Sequence, residues 1–254
     1  NNTYEDYPVV ITGKGSPILL LHGFDSSFLE FRRLAPFMRQ KHKLIIPDLF
    51  GFGFCPRPEN INYGKEGLIN HLTELIKRIS DKSKIGLIGA SMGGALAMEI
   101  ARKHPDIINK VLLLAPAGLV GKPMRVPPIL DKLGVWFLKQ EEVRKSLCKQ
   151  AFADPVISVG DPEIEIASLH LNVLNWGNSL AAFARSGGLA NCGYPIPKQP
   201  IHSMWGDNDR IIKGSLKKES IDLLKPYVEH IKDCGHLPHL DKPDLVAKRW
   251  EDDF

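Results

Sequence analysis

The chain has 254 residues, a formal net charge of +4, 43% apolar residues and 24% charged ones. That length can bury a large core and fits one α/β domain with an insertion, and the composition is ordinary for a globular chain. Basic pairs such as Arg32-Arg33 and Lys217-Lys218 stand beside acidic residues, which argues for solvated helix faces and against a nucleic-acid surface, and no apolar run reaches the ~18–20 residues of a membrane span.

The first strand signal is residues 9–12, and the second is the β-type run 17–21, which ends at His22-Gly23. Residues 28–39 are amphipathic, with Phe28, Phe31, Leu34 and Met38 near helical spacing. A buried strand at 43–47 ends at Asp48, and Gly51, Gly53, Pro56 and Pro58 then mark a long loop. Residues 68–79 form a helix whose face carries Leu68, Leu72, Leu75, Ile76 and Ile79. A strand at 84–88, a helix at 95–103 and a strand at 110–114 continue the alternation. From about 119 to 193 the rhythm breaks into mostly helical stretches, among them 129–137 and 141–152, punctuated by Pro123, Pro127, Pro128 and Pro155. It returns with a strand at 201–205, a helix at 214–224, a strand at 227–231 and a helix at 243–250. Such alternation predicts a mostly parallel, doubly wound α/β sheet covered on both faces, with a helical insertion.

Gly89-Ala90-Ser91-Met92-Gly93-Gly94 lies between a predicted strand and a predicted helix. The G-x-S-x-G spacing fits a sharp elbow, where Gly89 and Gly93 remove side chains that would clash and the serine hydroxyl stands above the sheet. The N–H groups that open the helix point at the same spot. Serine is a weak nucleophile at neutral pH and needs a base, which needs an acid to orient it. Both follow in the order Ser, acid, His, on loops at the C-terminal ends of predicted strands: Gly206-Asp207-Asn208-Asp209 and Asp233-Cys234-Gly235-His236.

These residues resemble the α/β-hydrolase fold superfamily, and the likeness covers nearly the whole chain. The matching motifs are His22-Gly23-Phe24, the D-x-x-G-x-G turn from Asp48 to Gly53, the elbow, the W-G-x-x-D loop from Trp205 to Asp209, and the ending from Gly235 to Pro243. The resemblance implies a serine esterase or lipase-like member, with a core of residues 1–116 and 195–254 and a helical cap of 117–194. It implies Ser91 as nucleophile, His236 as general base and Asp209 as acid; Asp207 is the alternative acid, or else a turn-capping side chain. It implies backbone N–H groups of Phe24 and Met92 as the oxyanion hole. Phe50 and Cys55 depart from the commoner Pro and Ser of the family, at positions expected to shape the entrance loop. His239 reads as a surface or rim residue.

The expected pocket comprises His22, Trp136, Phe137, Trp176, Phe183 and Leu237, with His22 also holding the oxyanion loop by hydrogen bonds. Arg125, Arg144 and Arg185 are surface arginines unless one anchors a substrate carboxylate. The leading function is hydrolysis of esters of small to medium apolar acyl groups through an acyl-enzyme, with water as the final acceptor. A C–C bond hydrolase of ring-cleavage products is the alternative: the stretches around Ser91 and from Pro116 to Leu119 are similar to that subfamily, but Leu237 stands where those enzymes carry Trp. A lyase or perhydrolase on the same triad, or a ligand receptor derived from a hydrolase, are further alternatives. A serine nucleophile sets the chain apart from dehalogenases and epoxide hydrolases, which attack with aspartate. No H-E-x-x-H occurs, and neither metal nor cofactor is expected. The expected partner is a small-molecule ester, with no nucleic acid and no integral membrane segment, on a monomer or homodimer. Cys55, Cys148, Cys192 and Cys234 form no C-x-x-C pair, so neither a zinc site nor a dithiol redox motif is suggested; an even count permits disulfides, but four cysteines are ordinary for reduced buried thiols in a chain of this size, and a reducing compartment, cytoplasmic or an organellar stroma or matrix, is expected. The start Asn1-Asn2-Thr3 reads as a processed or truncated end.

Overall fold

The computed structural model describes residues 7–59, 61–80 and 83–252, so the first three residues lie outside it. Among the described residues, seven strands form one sheet in the order β1-β3-β2-β4-β5-β6-β7. They are β1 (Val9–Thr12), β2 (Ser16–Leu21), β3 (His42–Pro47), β4 (Ile85–Ala90), β5 (Ile108–Leu114), β6 (Ile201–Gly206) and β7 (Val228–Ile231). Only β1 runs antiparallel, paired to β3 with Val9 opposite Pro47, while the other pairs are parallel.

β4 is buried at every position, and β2 and β5 over their last four residues, because each face of the sheet has its own cover. Alternate side chains of a strand point to opposite sides. Leu19 and Leu21 join the core beneath α2 (Lys65–Ile79) and α3 (Met92–Lys103), whereas Ile18 and Leu20 join the one with Phe31, Met38 and Trp250. Residues 28–39 do not form one helix. A 3-10 turn at Phe28–Phe31 gives way to α1 (Ala35–Met38). Pro36 has no N–H for the Arg32 carbonyl and its ring would clash there, so the helix restarts with proline near its N-terminus.

Between β5 and β6 lies the helical insertion: α4 (Pro128–Lys139), α5 (Glu141–Ala151), α6 (Pro155–Ser158), α7 (Asp161–Ile166), a 3-10 turn at Leu169–Asn172, and α8 (Trp176–Ser186). α9 (Gly214–Leu224), α10 (Pro238–Asp241) and α11 (Pro243–Glu251) complete the chain. α8 seats the insertion on the sheet, because its Trp176, Leu180 and Phe183 are buried in the core beneath α2 and α3.

Candidate active site

β4 ends at Ala90 and α3 begins at Met92, which leaves Ser91 alone to make the turn, at φ 50 and ψ −118. That left-handed backbone is strained for a residue with a Cβ. Neighbouring strands hold it: Ser91 N–H donates to the Leu114 carbonyl at 2.9 Å, and Ser91 O accepts from Gly94 and Ala117, each at 2.9 Å. The flanking glycines make room for main chain and not for the serine. A Cβ on Gly93 would lie 2.1 Å from Leu21 O, and one on Gly89 would lie 2.4 Å from Gly93 O. Met92 opens α3, so its N–H has no acceptor within the helix.

His236 follows β7 and Asp209 follows β6, and the two meet with Nδ1 at 3.0 Å from Oδ2. Both are buried. The other carboxylate oxygen, Oδ1, accepts from Ile211 N–H at 2.8 Å and Ile212 N–H at 3.1 Å. Burial opposes ionisation of Asp209, but the His236 hydrogen bond and charge and the two amides outweigh it and lower its pKa. Asp207 lies elsewhere, half-exposed at the surface and 3.2 Å from His230. The insertion also grips the histidine loop, since His236 N–H donates to Ala151 O at the end of α5.

Ser91 and His236 open onto one cavity of about 250 Å³ under the insertion, walled by apolar residues such as Phe24, Leu138, Leu147 and Ile211. A neighbouring cavity of about 110 Å³ shares Ser26, Glu30, Cys148, Ala151, Ala167 and Leu237 with it. Of the six expected pocket residues, Leu237 lines the larger cavity and the other five do not. Trp136 and Phe137 are exposed on the outside of α4. Phe183 is buried in the core, with its ring centroid 5.8 Å from that of Phe24. Trp176 is buried and donates from Nε1 to Asp25. Phe50 and Cys55 are also fully buried and absent from the cavity wall, Phe50 stacking on Tyr63.

His22 is fully buried and works through the backbone. Its Nδ1 donates to Gly23 O at 2.8 Å, and its Nε2 accepts the Leu49 N–H at 2.9 Å. Only the neutral ring can do both. Burial lowers the His22 pKa against the pull of Asp48 and Glu30, which keeps it in that form. With the Gly23 carbonyl held, the planar trans peptide turns the Phe24 N–H to the opposite side.

Two acidic residues near this loop were not singled out from sequence. Glu30 is buried and accepts the Gly23 N–H at 3.1 and 3.2 Å. Its Oε1 also lies 3.1 Å from Nε2 of His239, which is fully buried and not at the rim. Burial opposes its charge, but the His239 hydrogen bond and charge, with Ser26, outweigh it, and the Glu30 pKa is lowered to about 2. A folded-state value below the ordinary 4.5 stabilises the fold above that pH, and the contribution disappears as pH falls towards 2. Unfolding by urea at pH 7 and pH 3 should therefore show Glu30→Gln far less stable than wild type at pH 7 and closer to it at pH 3. An equal deficit at both pH values would remove this role.

Asp25, at φ 47, is the second. Its carboxylate takes Arg144 from α5, His170 Nε2 at 2.9 Å from the 3-10 turn, and Trp176 Nε1 at 2.8 Å from α8. Burial opposes its charge, yet His170, Arg144 and Trp176 lower its pKa. Arg144 is thus buried and committed, Arg185 bonds Asp131, and Arg125 is exposed. Neither acid had a readable signal, because Asp25 directly follows a loop motif and Glu30 sits in an amphipathic stretch where an acid reads as solvent face.

The model of the Alpha/beta hydrolase family matches residues 18–249. The chain is 31% identical over 252 residues to the 2-hydroxy-6-oxo-2,4-heptadienoate hydrolase of Pseudomonas putida, covering 91% of this chain and 86% of the relative. It is 29% identical over 259 residues to Lipase 1 of Psychrobacter immobilis, covering 93% and 76%. In fold it is similar to a meta-cleavage product hydrolase of Pseudomonas fluorescens, with a TM-score of 0.80 at 18% identity, over 96% of this chain and 92% of that one. The strand order, the serine elbow and the family match together place this chain in the alpha/beta hydrolase family.

Proposed function

We propose that this hydrolase cleaves carboxylic esters of small to medium apolar acyl groups through a Ser91 acyl-enzyme. The observation that carries the reading is His236, held by Asp209, opening on the same apolar cavity as Ser91. In this cycle Ser91 Oγ attacks the ester carbonyl while His236 Nε2 takes its proton. Asp209 holds the Nδ1–H and stabilises the imidazolium. Phe24 and Met92 N–H groups bind the negative carbonyl oxygen. His236 then protonates the leaving alcohol, and water activated by His236 releases the acid. The helices over the cavity act as its cap, and the adjoining smaller cavity offers room for the acyl chain.

The relative named as a dienoate hydrolase supports a second reading, C–C cleavage of a carboxylate-bearing substrate. The charges of the cavity wall favour the ester. Asp25 and Glu30 contribute two carboxylates against the guanidinium of Arg144, which is already paired. A series of p-nitrophenyl esters of rising chain length, run beside a 2-hydroxy-6-oxo-dienoate, separates the two. The expected result is ester turnover that peaks at short to medium chains and exceeds turnover of the dienoate. Folded protein that leaves every ester intact overturns the proposal.

A further inference from the structure

The outer face of α4 presents an apolar surface that the proposed reaction does not use. Its inner side is committed: Asp131 is buried and bonded by Arg185, Val135 lies against Gly177, and Leu138 lines the cavity of Ser91. The opposite side carries Ile129 (82% exposed), Leu130, Leu133, Trp136 and Phe137, each more than half exposed. At 100° per residue these five fall within an arc of about 120°, so they form one continuous apolar stripe. Water solvates such a stripe poorly, and a run of this kind marks a surface that is covered in use.

What borders the stripe identifies its cover. Lys132 and Lys139 are exposed and project along one edge of the arc. Lys122, Met124 and Arg125, just before the helix, are exposed as well. Asp131, the one acid within α4, is buried and neutralised, and Glu141 and Glu142 beyond its end pair with Lys145. An apolar face with a tryptophan, flanked by lysines, suits the boundary between headgroups and acyl chains of an anionic bilayer. A second protein copy fits less well. A twelve-residue helix is ~18 Å long and ~10 Å across, well short of the ~800 Å² per partner that a stable pair buries. Among the described residues no helix is long and apolar enough to cross a membrane, so the contact would lie on the surface.

We propose that α4 docks on an anionic lipid bilayer, with its apolar stripe among the acyl chains and Lys132 and Lys139 at the phosphates. Docking would leave only α4 between the lipid and the Ser91 cavity, which Leu138 lines from the helix's inner side. It does not depend on which bond the enzyme cleaves.

The molecule carries its own reporter. Trp136 is 60% exposed, whereas Trp176, Trp205 and Trp250 are 5%, 0% and 3% exposed. The full chain with Ser91→Ala, which cannot digest the vesicles by the proposed chemistry, is sedimented with vesicles of phosphatidylcholine alone or mixed with phosphatidylglycerol. The expected result is co-sedimentation with the mixed vesicles and a blue shift of tryptophan emission. Trp136→Ser with Phe137→Ser should abolish sedimentation while thermal unfolding is unchanged. Lys132→Ala with Lys139→Ala should weaken partition into mixed vesicles on the order of tenfold and leave the neutral ones little affected. No sedimentation, or binding that survives the Trp136/Phe137 change, overturns the proposal. Self-association lost in that variant, without vesicle binding, also overturns it and gives the face to a second copy.

Discussion

Ser91→Ala is expected to lower kcat for ester hydrolysis by about a millionfold, the largest single effect anywhere in the chain. The hydroxyl is the only group at the elbow that can form the acyl-enzyme, and alanine offers no substitute. The fold should hardly notice. The φ of 50 is set by the hydrogen bonds of the Ser91 backbone to Leu114, Gly94 and Ala117, and alanine keeps all three. The side chain also makes no cap bond to α3. Stopped-flow and steady-state assays should give residual turnover near background, with an unchanged urea midpoint. Turnover near the wild-type rate would place the nucleophile elsewhere.

Asp209→Asn should reduce kcat by about ten thousandfold, and Asp207→Asn by less than about twofold. The asymmetry follows from hydrogen-bond bookkeeping. Oδ1 of Asp209 must accept from the Ile211 and Ile212 amides, so an asparagine keeps its oxygen there and turns its NH₂ towards His236. His236 Nδ1 would then have to accept, which moves the ring proton to Nε2. In that tautomer Nε2 can no longer take the serine proton. Asp207 instead meets His230 at the surface, where loss of one ion pair changes little. Comparable losses in the two variants would contradict the assignment of the acid. The tautomer can be read independently from the ring nitrogen NMR shifts of His236.

The loops of the candidate site were legible because each joins a short motif to the end of an apolar run. Strand, elbow and helix at residues 85–103, and the loops after β6 and β7, follow from the alternation of apolar runs and turns, whereas the choice of Asp209 over Asp207 came from the family resemblance. Single residues acting through burial were not legible. Glu30, Asp25 and His239 look like any charged residue of a helix or loop, and only the folded chain shows them dry and paired. The aromatic residues of the insertion misled in the opposite sense. Composition says that Trp136 and Phe137 are apolar, but the side of α4 they occupy depends on which stripe Asp131, Val135 and Leu138 turn inward. Proline broke the helix at residues 28–39, where periodicity outweighed the missing N–H of Pro36.

The Asp25 carboxylate makes the insertion and the core one inheritable unit. Its three partners lie on three different insertion elements, and its own backbone adjoins the proposed oxyanion donor Phe24. A foreign insertion lacking Arg144, His170 or Trp176 would strand a buried negative charge next to the proposed oxyanion site. Exchange of substrate-facing helices between relatives is therefore constrained at three scattered positions. New specificity on this scaffold is reached more readily by altering cavity residues one at a time than by transplanting the insertion whole.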